Sequence, residues 1–297
     1  MSAELLINVT PRETRAAFVE NGMLQELFVE RASNRGIVGN VYLGRILRVL
    51  PGMQAAFVDI GLERAAFLHA TDISTSRLVL ADEPTTLPDG SDTQSGGSGG
   101  ADSITRLVHE GQELMVQVIK DPIGGKGARL TTHLSIPACF LVFLPDGDGV
   151  GISQRIDDAA NRDSLRAEVT RLIEQDGDKA SGGYIVRTAA ESARPGQLEA
   201  DMAFLKRLWR TISSRSKNRH APFLVYEDLP LLLRTVREMV GLELDRIRVD
   251  SRESYKRMKD FTHEFLPELN NRIEHYPGER PIFDLYGTED EIERALQ

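Results

Sequence analysis

Residues 39–73 read GNVYLGRILRVLPGMQAAFVDIGLERAAFLHATDI. Short runs rich in Val, Ile, Leu and Phe are broken at Pro51-Gly52 and at Gly61, the pattern of successive strands joined by tight turns. Residues 111–132, GQELMVQVIKDPIGGKGARLTT, continue the pattern around a second glycine turn. Several short strands with Gly and Pro at the corners predict a small β-barrel. Side chains alternate along a strand, so Ala56 and Val58 share one face and Phe57 and Asp59 the other. In the next run Ala66 and Leu68 share a face and Phe67 opposes them. If the four aliphatic residues fill a narrow barrel, Phe57 and Phe67 stand outside near one another, where exposed rings can stack on bases. Parity also allows the reverse, with the rings in the core and the small residues outside.

Between these two blocks, residues 82–102 (including PDGSDTQSGGSGGADS) hold almost nothing apolar and are expected to form a disordered loop within the barrel. Upstream, Leu5, Leu6, Ile7 and Val9 form an apolar run. Asn21-Gly22 then separates two apolar segments, a strong hairpin signal. Downstream, strands are expected at Phe140 to Leu144, Tyr184 to Ala189 and LDRIRVD. Helices are expected over 163–175, 199–213, 231–240 and 253–265, with a last helix starting at TEDEIERALQ.

The chain has 297 residues, enough for two or three folding units, and its 41% hydrophobic and 27% charged content is that of an ordinary globular protein. No apolar run reaches the roughly 20 residues needed to span a bilayer. The N-terminus has no basic segment ahead of its apolar run, so it does not read as a signal peptide. A single cysteine, Cys139, leaves no disulfide framework or cysteine zinc cluster, and the six histidines lack ligand spacing. A cytoplasmic protein without a structural metal or membrane association is expected. The net charge of −9 gives no general pull toward nucleic acid, but local patches can still bind it. Lys206 to His220 carries six Lys or Arg and no acid. That run is either a solvated helix ending in a basic turn or part of such a patch.

Lys126 lies in the turn GGKG and is followed by glycine rather than Ser or Thr, so the turn is not a P-loop. It is either a plain hairpin tip or a place where lysine meets phosphate. Arg187-Thr188 offers a guanidinium fork and a hydroxyl, a pairing suited to a terminal phosphate, though the dipeptide alone says little. Metal-dependent cleavage needs converging carboxylates. Asp245 and Asp250 are the nearest pair, but five apart on a strand they point to opposite faces, and Asp59 and Asp72 have no evident partner. No catalytic set emerges.

Taken together, the 39–73 string with KDPIGGKGARLTT (120–132), IVRTAAE (185–191), ELDRIRVDSR (243–252) and RPIFDLYG (280–287) resembles the ribonuclease E/G family along the whole chain. The resemblance implies an α+β fold, with an oligonucleotide-binding (OB) barrel of the ribosomal-protein type inserted in a split RNase H-like domain, followed by a 5′-sensor domain. The parts would be 1–35 and 231–297 for the RNase H-like halves, 36–132 for the barrel and 133–230 for the sensor. It implies that Phe57, Phe67 and Lys126 hold single-stranded RNA. Arg187 and Thr188 would bind a 5′-monophosphate, with Val142 touching the terminal nucleotide. Ala138 stands where another family member has a glycine used through its backbone. The family's catalytic aspartates, which hold magnesium, are expected beyond Gln297, as is the region that joins subunits into a homo-oligomer. By itself the chain is therefore expected to bind RNA and sense its 5′ end without cutting it, as part of an endoribonuclease of rRNA processing and RNA decay. A stand-alone RNA-binding adaptor is the alternative.

Overall fold

A computed structural model describes residues 3–74, 103–175, 182–217, 219–240 and 244–296. The expected loop at 82–102 lies outside the described residues. The chain opens with an antiparallel meander of β1 (Ala3–Val9), β2 (Glu13–Glu20) and β3 (Met23–Arg31). Asn21 (φ 52°) and Gly22 (φ 81°) make the β2–β3 turn, both left-handed as a two-residue hairpin matched to strand twist requires. Leu5, Leu6 and Ile7 are all fully buried. Leu5 and Ile7 join the main core, while Leu6 packs with Ile282 and Phe283 on the other side. A strand covered on both faces has no reason to alternate, which accounts for its unbroken apolar run.

The barrel follows. β4 (Val41–Leu50), β5 (Ala55–Asp59) and β6 (Ala66–His69) form a meander; α1 (Ile104–Leu107), β7 (Glu113–Lys120) and β8 (Arg129–Thr131) complete it. β6 pairs with β8, β8 with β7, and β7 returns to β4, so five strands close on themselves. Ile46, Ala56, Val58, Ala66, Leu68, Val116, Val118 and Leu130 fill the interior with Ile104 of α1. Alanine at 56 and 66 suits the narrow lumen of so small a barrel.

A second sheet is built from β9 (Ile136–Pro137), β10 (Leu141–Leu144), β11 (Val150–Ile152) and β12 (Gly183–Val186), in the order β11-β12-β10-β9. The long helices α2 (Ala159–Gln175) and α3 (Gln197–Lys217) contribute Leu165, Val169, Leu172, Phe204, Leu205 and Leu208 to the core that this sheet shares. The next strand, β13 (Phe223–Tyr226), leaves this sheet and pairs with β4 of the barrel.

After α4 (Leu231–Glu238) the chain returns to its beginning. β14 (Arg246–Val249) lies parallel on β1, with Leu5 opposite Ile247, and β15 (Ile273–His275) lies parallel on β14. The resulting sheet runs β15-β14-β1-β2-β3, so the two chain ends share one sheet and the barrel interrupts it. α5 (Arg252–Phe265) is capped by Ser251, whose hydroxyl accepts from the Ser254 N–H at 3.2 Å. Its Phe261 and Phe265 stack edge-on against Phe204 of α3, tying this sheet to the second one. α6 (Pro267–Asn270), α7 (Ile282–Leu285) and α8 (Thr288–Leu296) close the described chain. The architecture is α+β, and no helix among the described residues is long and apolar enough to cross a membrane.

Candidate nucleic-acid interface

The barrel resolves the parity question in favour of outward rings. Ala56, Val58, Ala66 and Leu68 have no exposed surface, while Phe57 and Phe67 are half-buried on the opposite face. The two rings are direct cross-strand partners, 6.3 Å apart between centroids and inclined at 71°. His69, next but one on β6, adds a third ring 6.4 Å from Phe67. Edge-to-face packing leaves ring surface open to a flat partner.

Beside the rings lies a groove of about 780 Å³ lined by Met53, Ile123, Arg64, Lys120, Lys126 and Arg129 as well as Phe57 and Phe67. Lys126 is placed there by a tight turn in which its N–H donates to the Ile123 carbonyl at 3.1 Å. Gly127 is required next, because a Cβ there would run into the Ala65 carbonyl just ahead of β6. The glycine thus serves close packing, and the lysine is left on the rim of an apolar groove. A cavity of similar size, about 830 Å³, lies between β3 and residues 35–40. Glu13, Glu30, Asp121 and Asp228 line it together with Arg31, Arg35 and Arg234, so its charges offset one another and it offers no aromatic platform.

Arg187 directly follows β12 and sits on the turn at 138–141. Its Nη1 donates to the carbonyls of Ala138 (2.6 Å) and Cys139 (3.0 Å). Among the described residues its Nε and Nη2 have no partner, so one edge of the guanidinium is held and the other is presented. The Thr188 hydroxyl follows it, also without a partner there. Val142 lies half-buried on the adjacent β10, opposite Ile185 and Pro137. Ala138 is fully buried; its N–H donates to the Leu141 carbonyl and its own carbonyl carries Arg187. Its backbone therefore supports the guanidinium.

The aspartates have structural work. Asp245 accepts from the Ala3 N–H, and Asp250 from Asn8 Nδ2 (2.6 Å) and the Val9 N–H (2.9 Å), at opposite ends of the β1–β14 pairing. Asp72 is held by Arg129 at 2.8 Å and Asp59 accepts from the Gly61 N–H. Among the described residues no three His, Cys, Asp or Glu side chains converge as metal ligands.

The model of the ribonuclease E/G family matches residues 135–297. The chain belongs to the ribonuclease E/G family. It is 48% identical over 300 residues to Ribonuclease G of Escherichia coli, covering 100% of this chain and 58% of that protein. Ribonuclease G of Haemophilus influenzae is 47% identical over 296 residues, with 99% and 57% covered. Ribonuclease E of Haemophilus influenzae is 34% identical over 295 residues, with 99% and 30% covered. The chain thus spans a little over half the length of the ribonucleases G it matches.

In this family member two further residues shape the Arg187 site, and neither was singled out from sequence. Asp201 of α3 is 3% exposed and accepts from the N–H groups of Cys139, Phe140 and Leu141 at 3.3, 2.6 and 3.0 Å. Burial pushes its carboxyl above the usual carboxylate range, against the pull of those donors. Burial, with Asp201 nearby, likewise pushes the Cys139 thiol up to about 11. Arg237 of α4, itself buried, donates to the Pro137 carbonyl at 3.0 Å. One signal was present: Asp201 stands in the apolar stripe Leu198, Asp201, Met202, Leu205, Leu208, where an acid is out of place unless something buried needs an acceptor.

Proposed function

We propose that this segment grips single-stranded RNA on the outer face of its barrel and senses a 5′-monophosphate at Arg187. It would do so as the RNA-handling part of a ribonuclease G-type endoribonuclease of rRNA processing and RNA decay. The observation that carries the reading is the outward-facing, half-buried Phe57–Phe67 pair beside the Lys126 turn. The rings offer bases a stacking surface, and the groove's lysines and arginines meet the backbone between them. At the second site Arg187 presents its unheld edge as a fork for phosphate oxygens, with the Thr188 hydroxyl beside it and Val142 against the terminal nucleotide. By the same reading the barrel is an OB fold, and the sheet shared by the chain ends is the split RNase H-like part, which here is structural. The full-length protein would be a magnesium-dependent cytoplasmic homo-oligomer, with cleavage carried by residues other than those described.

Competition binding tests the proposal. The chain should prefer an unstructured oligonucleotide to a duplex of the same length, because stacking needs unpaired bases. It should also prefer a 5′-monophosphate to a 5′-hydroxyl on the same RNA. Equal affinity for single strand and duplex would remove the barrel reading, and equal affinity for the two 5′ ends would remove the sensor.

A further inference from the structure

We infer that Arg48 is a further RNA-binding residue, holding a backbone phosphate on the β4 side of the ring pair. This rests on reading the barrel face as an RNA interface and extends that interface by one strand. Strand registers define a row across the barrel: Arg48 on β4 faces Phe57 on β5, Phe57 faces Phe67 on β6, Phe67 faces Arg129 on β8, and Arg129 faces Lys120 on β7. Cross-strand partners share a face, so all five side chains lie on the outside.

A bulge produces this arrangement on β4. The register shifts between Ile46 and Arg48. Ile46 stays inside, 1% exposed, while Leu47 and Arg48 are both exposed beside Phe57. Without the bulge, an outward Leu47 would leave Arg48 pointing into the barrel.

The two arginines of the row differ in their freedom. Arg129 is held by Asp72 through two contacts, at 2.8 and 3.1 Å. Among the described residues Arg48 has no carboxylate and no hydrogen-bond partner. The neighbouring Glu110 is engaged on the Val49 N–H. Lys126 and Lys120 already line the groove on the Phe67 side, so a cation on the Phe57 side brackets the rings. With strands about 4.8 Å apart, Arg48 and Arg129 stand about 14 Å apart at their Cα atoms. That frames the two stacked bases with positive charge on both sides and sends the RNA across the strands.

The test is anisotropy titration of a labelled, 5′-hydroxyl oligouridylate over a range of salt concentrations. Arg48→Ala should weaken binding about tenfold and flatten the slope of log affinity against log salt by about 0.7, the value for one phosphate contact on a single strand. Arg48→Lys should keep the slope, and Arg166→Ala on exposed α2, which removes the same charge elsewhere, should change neither quantity. If Arg48→Ala matches wild type while Phe57→Ala weakens binding, the inference is wrong and the interface stands. If Phe57→Ala also changes nothing, the interface itself is wrong and Arg48 falls with it.

Discussion

The ring face of the barrel and the Arg187 site solve opposite problems. The barrel face takes its rings from one strand–turn–strand stretch, β5–β6, and its lysines from another, β7–β8, and it leaves side chains unsatisfied: rings half in water, lysines on a rim. The Arg187 site is built from four separate segments, and it works by satisfying nearly everything. Asp201 takes three N–H groups of the 138–141 turn, Arg237 takes a carbonyl at its edge, and Arg187 is fixed on two more carbonyls with one edge left over. On the proposed reading, one surface would adapt to any base by stacking, while the other would be pre-organised for one charged group. Loss of a ring should therefore cost binding alone, whereas loss of a buried partner should cost structure.

The largest expected effect tests the second half of that contrast. Asp201→Ala strands buried N–H groups, and denaturant unfolding should show a loss of about 3 kcal/mol. The preference for 5′-monophosphate should vanish with it. Affinity for 5′-hydroxyl RNA should hold under conditions where the chain stays folded; a matching loss there would show that the two sites are not separate.

Arg187→Ala comes next, and it should leave the unfolding midpoint nearly unchanged. The difference in affinity between 5′-monophosphate and 5′-hydroxyl RNA should close, a charge-assisted contact being worth about 1.5–3 kcal/mol at most. A persisting preference would move the sensor elsewhere.

The same contrast decides what could be read from the sequence. Period-two alternation placed Ala56, Val58, Ala66 and Leu68 together, and the Asn21-Gly22 signal placed the first hairpin. These depend on neighbours within a few residues. The choice between rings out and rings in needed the closed barrel, because both arrangements obey the alternation. Pairing of β1 with β14 joins residues about 240 apart, beyond the reach of any local pattern. The bulge that turns Arg48 outward leaves no mark in VYLGRILRVL, and β13 gives no sign that it will join β4 rather than the sheet before it. Asp201 was visible only as an acid in an apolar stripe, with nothing in the sequence to name its partners. Arg187-Thr188 meant little until its carbonyl seat was known.

The smallest effect is the pH dependence of stability. Burial raises the carboxyls of both Asp201 and Asp228 above their unfolded values. The native state then holds protons that the unfolded state releases, so their contribution is complete below the ordinary carboxylate range of about pH 4 and is lost as pH rises through the raised values. Asp201→Asn should flatten part of that decline in a series of urea midpoints, leaving the share from Asp228. An unchanged slope would mean that the amide donors cancel the effect of burial at Asp201, and a steeper one that they outweigh it.

The outward ring pair is the central claim, and one experiment addresses it directly: titration of a short, unstructured 5′-hydroxyl RNA into wild type, Phe57→Ala and Phe67→Ala, with a melting curve for each. Binding should weaken by about 1–3 kcal/mol per ring while the melting midpoint stays near that of wild type. Unchanged affinity in well-folded variants would contradict the account, as would collapse of the fold, which would return the rings to the core.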